Sequence, residues 1–278
     1  MKKLFLFLLI GLVFAAISVN AANAQIRSLS LNGATGLIST PTAHTGWEKS
    51  DFGADIGFSY LDSNSHKTDT HDTIILKATV QFLKNFEAGI AYDWQEGRGG
   101  YNNEDILIHG KWRFHQDGST AVALGGNLQF LQSPWRGAWR DDESWNAQQI
   151  YVVATYQAPF FKMPSETSMT IGKSFGSRHH PRYGSSRYGR RDIDFSMGFA
   201  VNVLPDILGG LQWICEFANY SYSADPVNVH VDRGIFNTGA RLAILNDSNF
   251  RLNADLIFTD LLDNNRNWGF RLSGGAAF

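Results

Sequence analysis

From about residue 51 to the last residue, apolar and polar side chains alternate with a period of two in blocks of roughly ten residues, the signature of strands with one apolar and one polar face. Such blocks run near 51–60, 73–82, 86–95, 104–114, 120–131, 147–157, 166–175, 190–203, 207–219, 234–245, 249–260 and 267–278. They are longer than the roughly 5 to 6 residues of an ordinary globular strand and match the roughly 9 to 11 that cross a bilayer when tilted. In 86–95, Phe86, Ala88, Ile90, Tyr92 and Trp94 share one face and Glu87, Gly89, Ala91, Asp93 and Gln95 the other. In the same way Ile106, Ile108, Trp112 and Phe114 oppose Asp105, His109, Lys111 and Arg113, and Ile193, Phe195, Met197, Phe199 and Val201 oppose Asp192, Asp194, Ser196 and Asn202. The last block sets Trp268, Phe270, Leu272, Ala276 and Phe278 against Asn267, Arg271 and Ser273.

The connections alternate too. Segments 61–72, 96–103, 132–146, 176–189, 220–233 and 261–266 are mostly long and polar, whereas 83–85, 115–119, 158–165, 204–206 and 246–248 are mostly short. Long external loops and short periplasmic turns are the habit of outer-membrane barrels. The expected fold is therefore an all-β, transmembrane, antiparallel up-and-down β-barrel of about twelve strands with both termini in the periplasm. A soluble sandwich or lipocalin-like barrel would have to pack Trp94, Trp112, Trp213, Trp268 and a dozen Phe into one core; a membrane barrel gives that face to lipid. Lys173, in the lipid-facing register, is expected near the outer headgroups.

Export is expected from the N-terminus: Lys2 and Lys3, an apolar run from Leu4 to about Ile17, and the small-x-small Ala22-Asn23-Ala24 read as a cleavable signal peptide over residues 1–24. The run is shorter than the roughly 18 to 20 residues of a spanning helix. Residues 25–50 then form an N-terminal periplasmic or lumenal segment and 51–278 the barrel, placed in the bacterial outer membrane. A single cysteine, Cys215, rules out an internal disulfide, and a formal net charge of −2 makes no case for nucleic acid.

The polar face carries Asp55 together with the lumen-lining candidates Lys77, Glu87, Asp93, Asp105, Lys111, Arg113, Asp192, Asp194, Glu216, Arg241, Arg251, Asp255 and Arg271. Acids and bases nearly balance, as ion-pair networks that fill the lumen require, or a selectivity lining for a small polar solute. One connection is strongly basic: Arg178, Arg182, Arg187, Arg190 and Arg191, with Tyr183 and Tyr188 between them, suit contact with an anionic glycan or lipopolysaccharide phosphate, since guanidinium pairs bidentately with phosphate and carboxylate. A solvated basic loop near the anionic leaflet reads equally well. No enzyme is expected: His109 and His115 have no Ser at a suitable register, and His179-His180 lacks a third ligand at metal spacing. No cofactor or metal is expected either.

The segment before the first strand reads Asn32-Gly33-Ala34-Thr35-Gly36-Leu37-Ile38-Ser39-Thr40-Pro41-Thr42-Ala43. It resembles the Gly-Leu-Ile-x-x-Pro-Thr/Ser-Ala opening of the YjbH-like exopolysaccharide-associated outer-membrane proteins. Residues Gly209 to Ala243 look like that family's penultimate hairpin region, although the chain is much shorter than the two-barrel members. The resemblance implies a non-enzymatic component of exopolysaccharide export or surface retention. A specific porin for small anionic oligosaccharides or other polar solutes, and a structural or adhesive protein acting through its external loops, are the alternatives. Expected partners are outer-membrane lipid and lipopolysaccharide, an anionic polysaccharide or small polar solute, and the barrel-assembly machinery, for which Phe278 resembles the terminal aromatic signal. Gly33 and Gly36 suit a segment threaded into or across the periplasmic mouth.

Overall fold

The computed structural model describes residues 26–63, 71–97, 101–133, 143–180, 184–189, 193–203, 205, 210–220, 234–262 and 267–278. Its strands are β1 (Phe52–Ser63), β2 (His71–Phe82), β3 (Phe86–Gly97), β4 (Tyr101–Asp117), β5 (Thr120–Ser133), β6 (Glu143–Phe160), β7 (Met163–His180), β8 (Gly184–Gly189), β9 (Asp194–Asn202), β10 (Leu211–Ala218), β11 (Ile235–Asn246), β12 (Phe250–Thr259) and β13 (Asn267–Ala277). All pairings are antiparallel, β1 pairs with β13, and β6 with β7, so the sheet closes into a barrel of 12 strands. β8 is not a separate wall strand. It continues the line of β9 along the far part of β7, pairing Gly184–Gly189 with Phe175–His180.

The alternation follows from the medium on each side. Ile90 and Tyr92 are 46% and 36% exposed, while Glu87 and Asp93 on the same strand are buried. A hydrocarbon solvent accepts the first pair; the second pair needs partners inside. Val201 departs from the pattern, being buried although its register faces outward. Lys173 sits half-buried in the outward register opposite Ile150. Aromatic residues gather at both rims. Phe82, Phe86, Trp112 and Phe114 form one row with centroid spacings of 5.5, 6.1 and 5.8 Å, and Phe52 lies 6.2 Å from Phe278; at the opposite rim Tyr60 meets Trp268 and Phe270. Amphipathic rings belong at such interfaces.

Several boundaries differ from the sequence-based expectation. The connection expected over 158–165 is a two-residue turn, Phe161-Lys162, because Pro159 and Pro164 still face each other in the ladder. Part of the expected 176–189 loop is the β7–β8 hairpin, and the expected 96–103 loop shrinks as β3 and β4 extend. Both Phe161 (φ 47°) and Lys162 (φ 71°) lie in the left-handed region, as the right-twisted hairpin demands, at a cost of order 1–2 kcal/mol per non-glycine residue. Lys162→Gly, which keeps the exposed Phe161, is expected to stabilise the barrel by about 1 kcal/mol; urea titration in detergent micelles is the check, and an unchanged midpoint would count against strain at this turn.

The lumen is not uniformly polar. Leu61, Ile75, Ala91, Leu107, Ala200, Ile214 and Ile257 point inward from six strands and β9, and pack with Leu31, Leu37 and Ile38 of the segment that precedes β1. This apolar collar sits inside the barrel, not around it.

Candidate functional site

Residues 26–45 and Trp47 occupy the barrel interior and are almost wholly buried. The chain folds back on itself there: Leu31 N–H donates to Ile38 O (2.7 Å), Gly36 N–H to Ser28 O (3.0 Å), Leu37 N–H to Thr40 O (2.9 Å) and Thr42 N–H to Thr35 O (3.1 Å). Gly33 has φ of +93°, and a Cβ on Gly36 would press on Thr40 O, so both glycines of the motif are required by this double turn. Every turn leaves carbonyls and N–H groups without a ladder, and the barrel wall supplies their partners.

Glu216 on β10 takes the tip. Its carboxylate accepts N–H bonds from Ile38 (3.2 Å), Ser39 (2.7 Å) and Thr40 (3.0 Å), the Ser39 hydroxyl, and Asn237 Nδ2 of β11 at 2.8 Å. Successive N–H groups curved around an anion form a nest, here filled by the protein's own carboxylate. On the other side of the tip, Arg241 Nη2 donates to Gly36 O (3.2 Å) and Leu37 O (3.1 Å), and Arg271 Nη1 to Ile38 O (3.3 Å). Arg241, Asp255 and Arg271 share a register row on β11, β12 and β13, so the single Asp255 carboxylate joins both guanidinium groups.

The remaining contacts run around the wall. Lys77 Nζ donates to Ser30 O (2.9 Å) and Thr79 to Gly33 O (2.7 Å) from β2; Glu87 of β3 accepts Thr35 N–H (2.8 Å). Lys111 of β4 donates to Thr35 O and His44 O and lies 3.2 Å from Glu87, its register partner, with the His109 ring 3.6 Å from the same carboxylate. Ala43 N–H donates to Thr155 of β6, Asn253 of β12 donates to Arg27 O, and the Ser28 and Ser273 hydroxyls bond across to β13. β5 and β9 contribute shape instead: Ala121 and Ala123 cluster with Ala43, and a Cβ on Gly198 would overlap Leu37.

At the short-turn end the segment is held by charge. Arg27 pairs with Glu166 of β7 (2.5 Å) and Arg113 with Glu48 (2.6 Å), and the His44 ring hydrogen-bonds to Glu48 through Nδ1. Gln157 Nε2 bonds His44 Nε2 at 2.8 Å, so Nε2 accepts and Nδ1–H donates to Glu48, the neutral tautomer. Burial and the Arg27 charge keep the His44 pKa below its ordinary 6.5. Burial would raise the Glu48 carboxyl, but the His44 hydrogen bond and the Arg27 and Arg113 charges outweigh it and hold the pKa at about 2.

Of the sequence-chosen lumen residues, Lys77, Glu87, Lys111, Arg113, Glu216, Arg241, Asp255 and Arg271 thus meet at the inner segment or in ion pairs around it, and Arg251 joins them by donating to Gly46 O (2.7 Å). Asp93, Asp105 and Asp194 lie toward the other half of the lumen, where Asp93 and Asp105 face each other in register, Gln129 donates to Asp105 (2.6 Å) and Gln149 to Asp194 (2.9 Å). Asp192, Arg182, Tyr183, Arg190 and Arg191 lie outside the described residues, as do the side chains of Arg178, Arg187 and Tyr188. Sequence reasoning missed Arg27, Trp47, Glu48, Gln81 and Glu166. Gln81 continues the inward register of Lys77 and Thr79, a signal that was available; the others depend on contacts made only in three dimensions. Among the described residues no cluster of metal-ligating side chains occurs.

No family model and no curated protein matches the sequence. Among solved structures the chain resembles the NanC porin (TM-score 0.50, 13% identity, 81% of this chain and 99% of that one), the translocator domain of the autotransporter NalP from Neisseria meningitidis (0.49, 9%, 82% and 88%) and the β domain of the Bordetella autotransporter BrkA (0.48, 13%, 82% and 100%). At such identities the likeness bears on fold alone, and the fold is that of an outer-membrane β-barrel.

Proposed function

We propose that this chain, exported by a signal peptide cleaved before Gln25, is a non-enzymatic protein of the bacterial outer membrane that serves export or surface retention of a polysaccharide through a barrel stoppered on its periplasmic side. The observation that carries this reading is the filled lumen. The motif on which the resemblance to exopolysaccharide-associated proteins rests, Asn32 to Ala43, is the stretch whose backbone is bonded to the wall by Thr79, Glu87, Lys111, Thr155, Glu216, Arg241 and Arg271. An aperture for diffusing solutes needs a wet lumen; a barrel bonded to its own segment suits a component that holds or positions a polymer at the surface.

In a planar bilayer the full chain is expected to give no stable open-channel current, and deletion of residues 26–47 is expected to give one. A mutant strain lacking the protein is expected to lose cell-retained polysaccharide. Stable, solute-blockable currents from the full chain would overturn the reading in favour of a solute-specific porin; the NanC barrel is named a porin.

A further inference from the structure

The ion pairs Glu87–Lys111, Arg241–Asp255 and Arg271–Asp255 each join neighbouring strands. Asp55–Arg251 skips one. Asp55 of β1 and Arg251 of β12 are both register partners of Gly275 on β13, so the three occupy one cross-strand row with the last strand in the middle. Arg251 Nε and Nη2 reach Asp55 Oδ1 and Oδ2 at 2.7 and 2.5 Å, a bidentate pair lying directly over the β13 backbone. Glycine at 275 is what allows the crossing, because a Cβ there would overlap Asp55 Oδ1 and Ala54 O.

The inner segment completes the arrangement. The Trp47 ring lies under Arg251 Cζ at 4.5 Å, its indole Nε1–H donates to Asp55 Oδ2 at 2.9 Å, and Arg251 Nη1 donates to Gly46 O at 2.7 Å. Two more glycines make room: a Cβ on Gly46 would crowd Arg251 Nη2, and one on Gly53 would overlap the Trp47 ring. Gln81 fixes the Trp47 backbone through both its N–H and its carbonyl.

We propose that Asp55, Arg251 and Trp47 form a clasp that locks the β1–β13 seam from within and couples seating of the inner segment to the stability of the closed barrel. The seam joins the two ends of the strand series, and Asp55 and Arg251 are 196 residues apart in the chain, so the pair exists only once the ring is closed. Without the segment, the pair loses the Trp47 N–H and the Gly46 carbonyl and faces a wet lumen, where an ion pair contributes little. Without closure, Trp47 loses the Arg251 guanidinium that stacks on its ring from across the seam, and Asp55 loses its ion-pair partner. Each half therefore stabilises the other.

Two readouts separate coupling from ordinary destabilisation. In a Cys215→Ala background, Thr42→Cys, buried in the segment, reports seating by its rate of reaction with a water-soluble maleimide; the temperature at which the fast-migrating folded band is lost on unboiled gels reports closure. Asp55→Asn and Gly275→Ala are each expected to speed labelling about tenfold and to lower that temperature by about 5 °C or more. Gly110→Ala, whose Cβ meets nothing within 4 Å, is expected to change neither. Glu166→Gln, on β7 away from the seam, loosens Arg27 of the inner segment and is expected to move both readouts, each by less than Asp55→Asn does. Should Gly275→Ala fail to insert, the isosteric Asp55→Asn still carries the test. The proposal is overturned if Asp55→Asn moves only one readout or neither, or if Glu166→Gln moves both as far as Asp55→Asn does.

Discussion

Glu216→Ala is expected to destabilise the folded barrel by about 3–5 kcal/mol and to unseat the tip of the inner segment, because it strands the N–H groups of Ile38, Ser39 and Thr40 with nothing to accept them. The apolar collar around Leu37 and Ile38 hinders water from taking the carboxylate's place. Glu216→Gln preserves shape and one carbonyl acceptor but loses the charge that the nest of N–H groups favours, so a smaller loss of about 1–2 kcal/mol is expected. Urea unfolding in micelles measures both. If Glu216→Ala falls within about 1 kcal/mol of the parent, the carboxylate is not what holds the turn.

Asp255→Ala is expected to have a comparable or larger effect, about 3–5 kcal/mol or failure to assemble, since it leaves the guanidinium groups of Arg241 and Arg271, both buried, without their shared carboxylate. The cost comes from the uncompensated charges more than from the lost attraction. The triple variant Asp255→Leu, Arg241→Met, Arg271→Leu removes every charge at once and should recover part of the loss. Recovery stays incomplete because the carbonyls of Gly36, Leu37 and Ile38 lose their donors. Heat-modifiable migration of the two variants checks the order; a single variant as stable as the triple would contradict a buried-charge origin.

The wall of the barrel was legible residue by residue. Ile106, Ile108, Trp112 and Phe114 could be assigned to lipid and Lys111 and Arg113 to the lumen because a period of two admits no other reading once one face is fixed. The turns were less so: Phe161 and Lys162 carry none of the Asn-Gly chemistry that usually marks a tight hairpin, and Pro159 and Pro164 look like breakers until the register shows them facing one another. Inside the barrel the sequence separated charged from apolar positions but could not say which charges meet. Asp55 and Arg251 are joined only because β12, β13 and β1 bring one row together, and Gly275 reads as an ordinary strand glycine until that row is seen.

Sequence alone determined strands of bilayer length with one apolar and one polar face, since alternation is a local property that needs no knowledge of distant neighbours. Only the tertiary structure decided what the lumen contains. Residues 26–47 have no periodicity of their own; their turns are stable because Glu87, Glu216, Lys77, Lys111, Arg241 and Arg271, drawn from strands far apart in the chain, converge on their backbone groups. That convergence is set by barrel closure, and closure is a long-range event that no local pattern encodes.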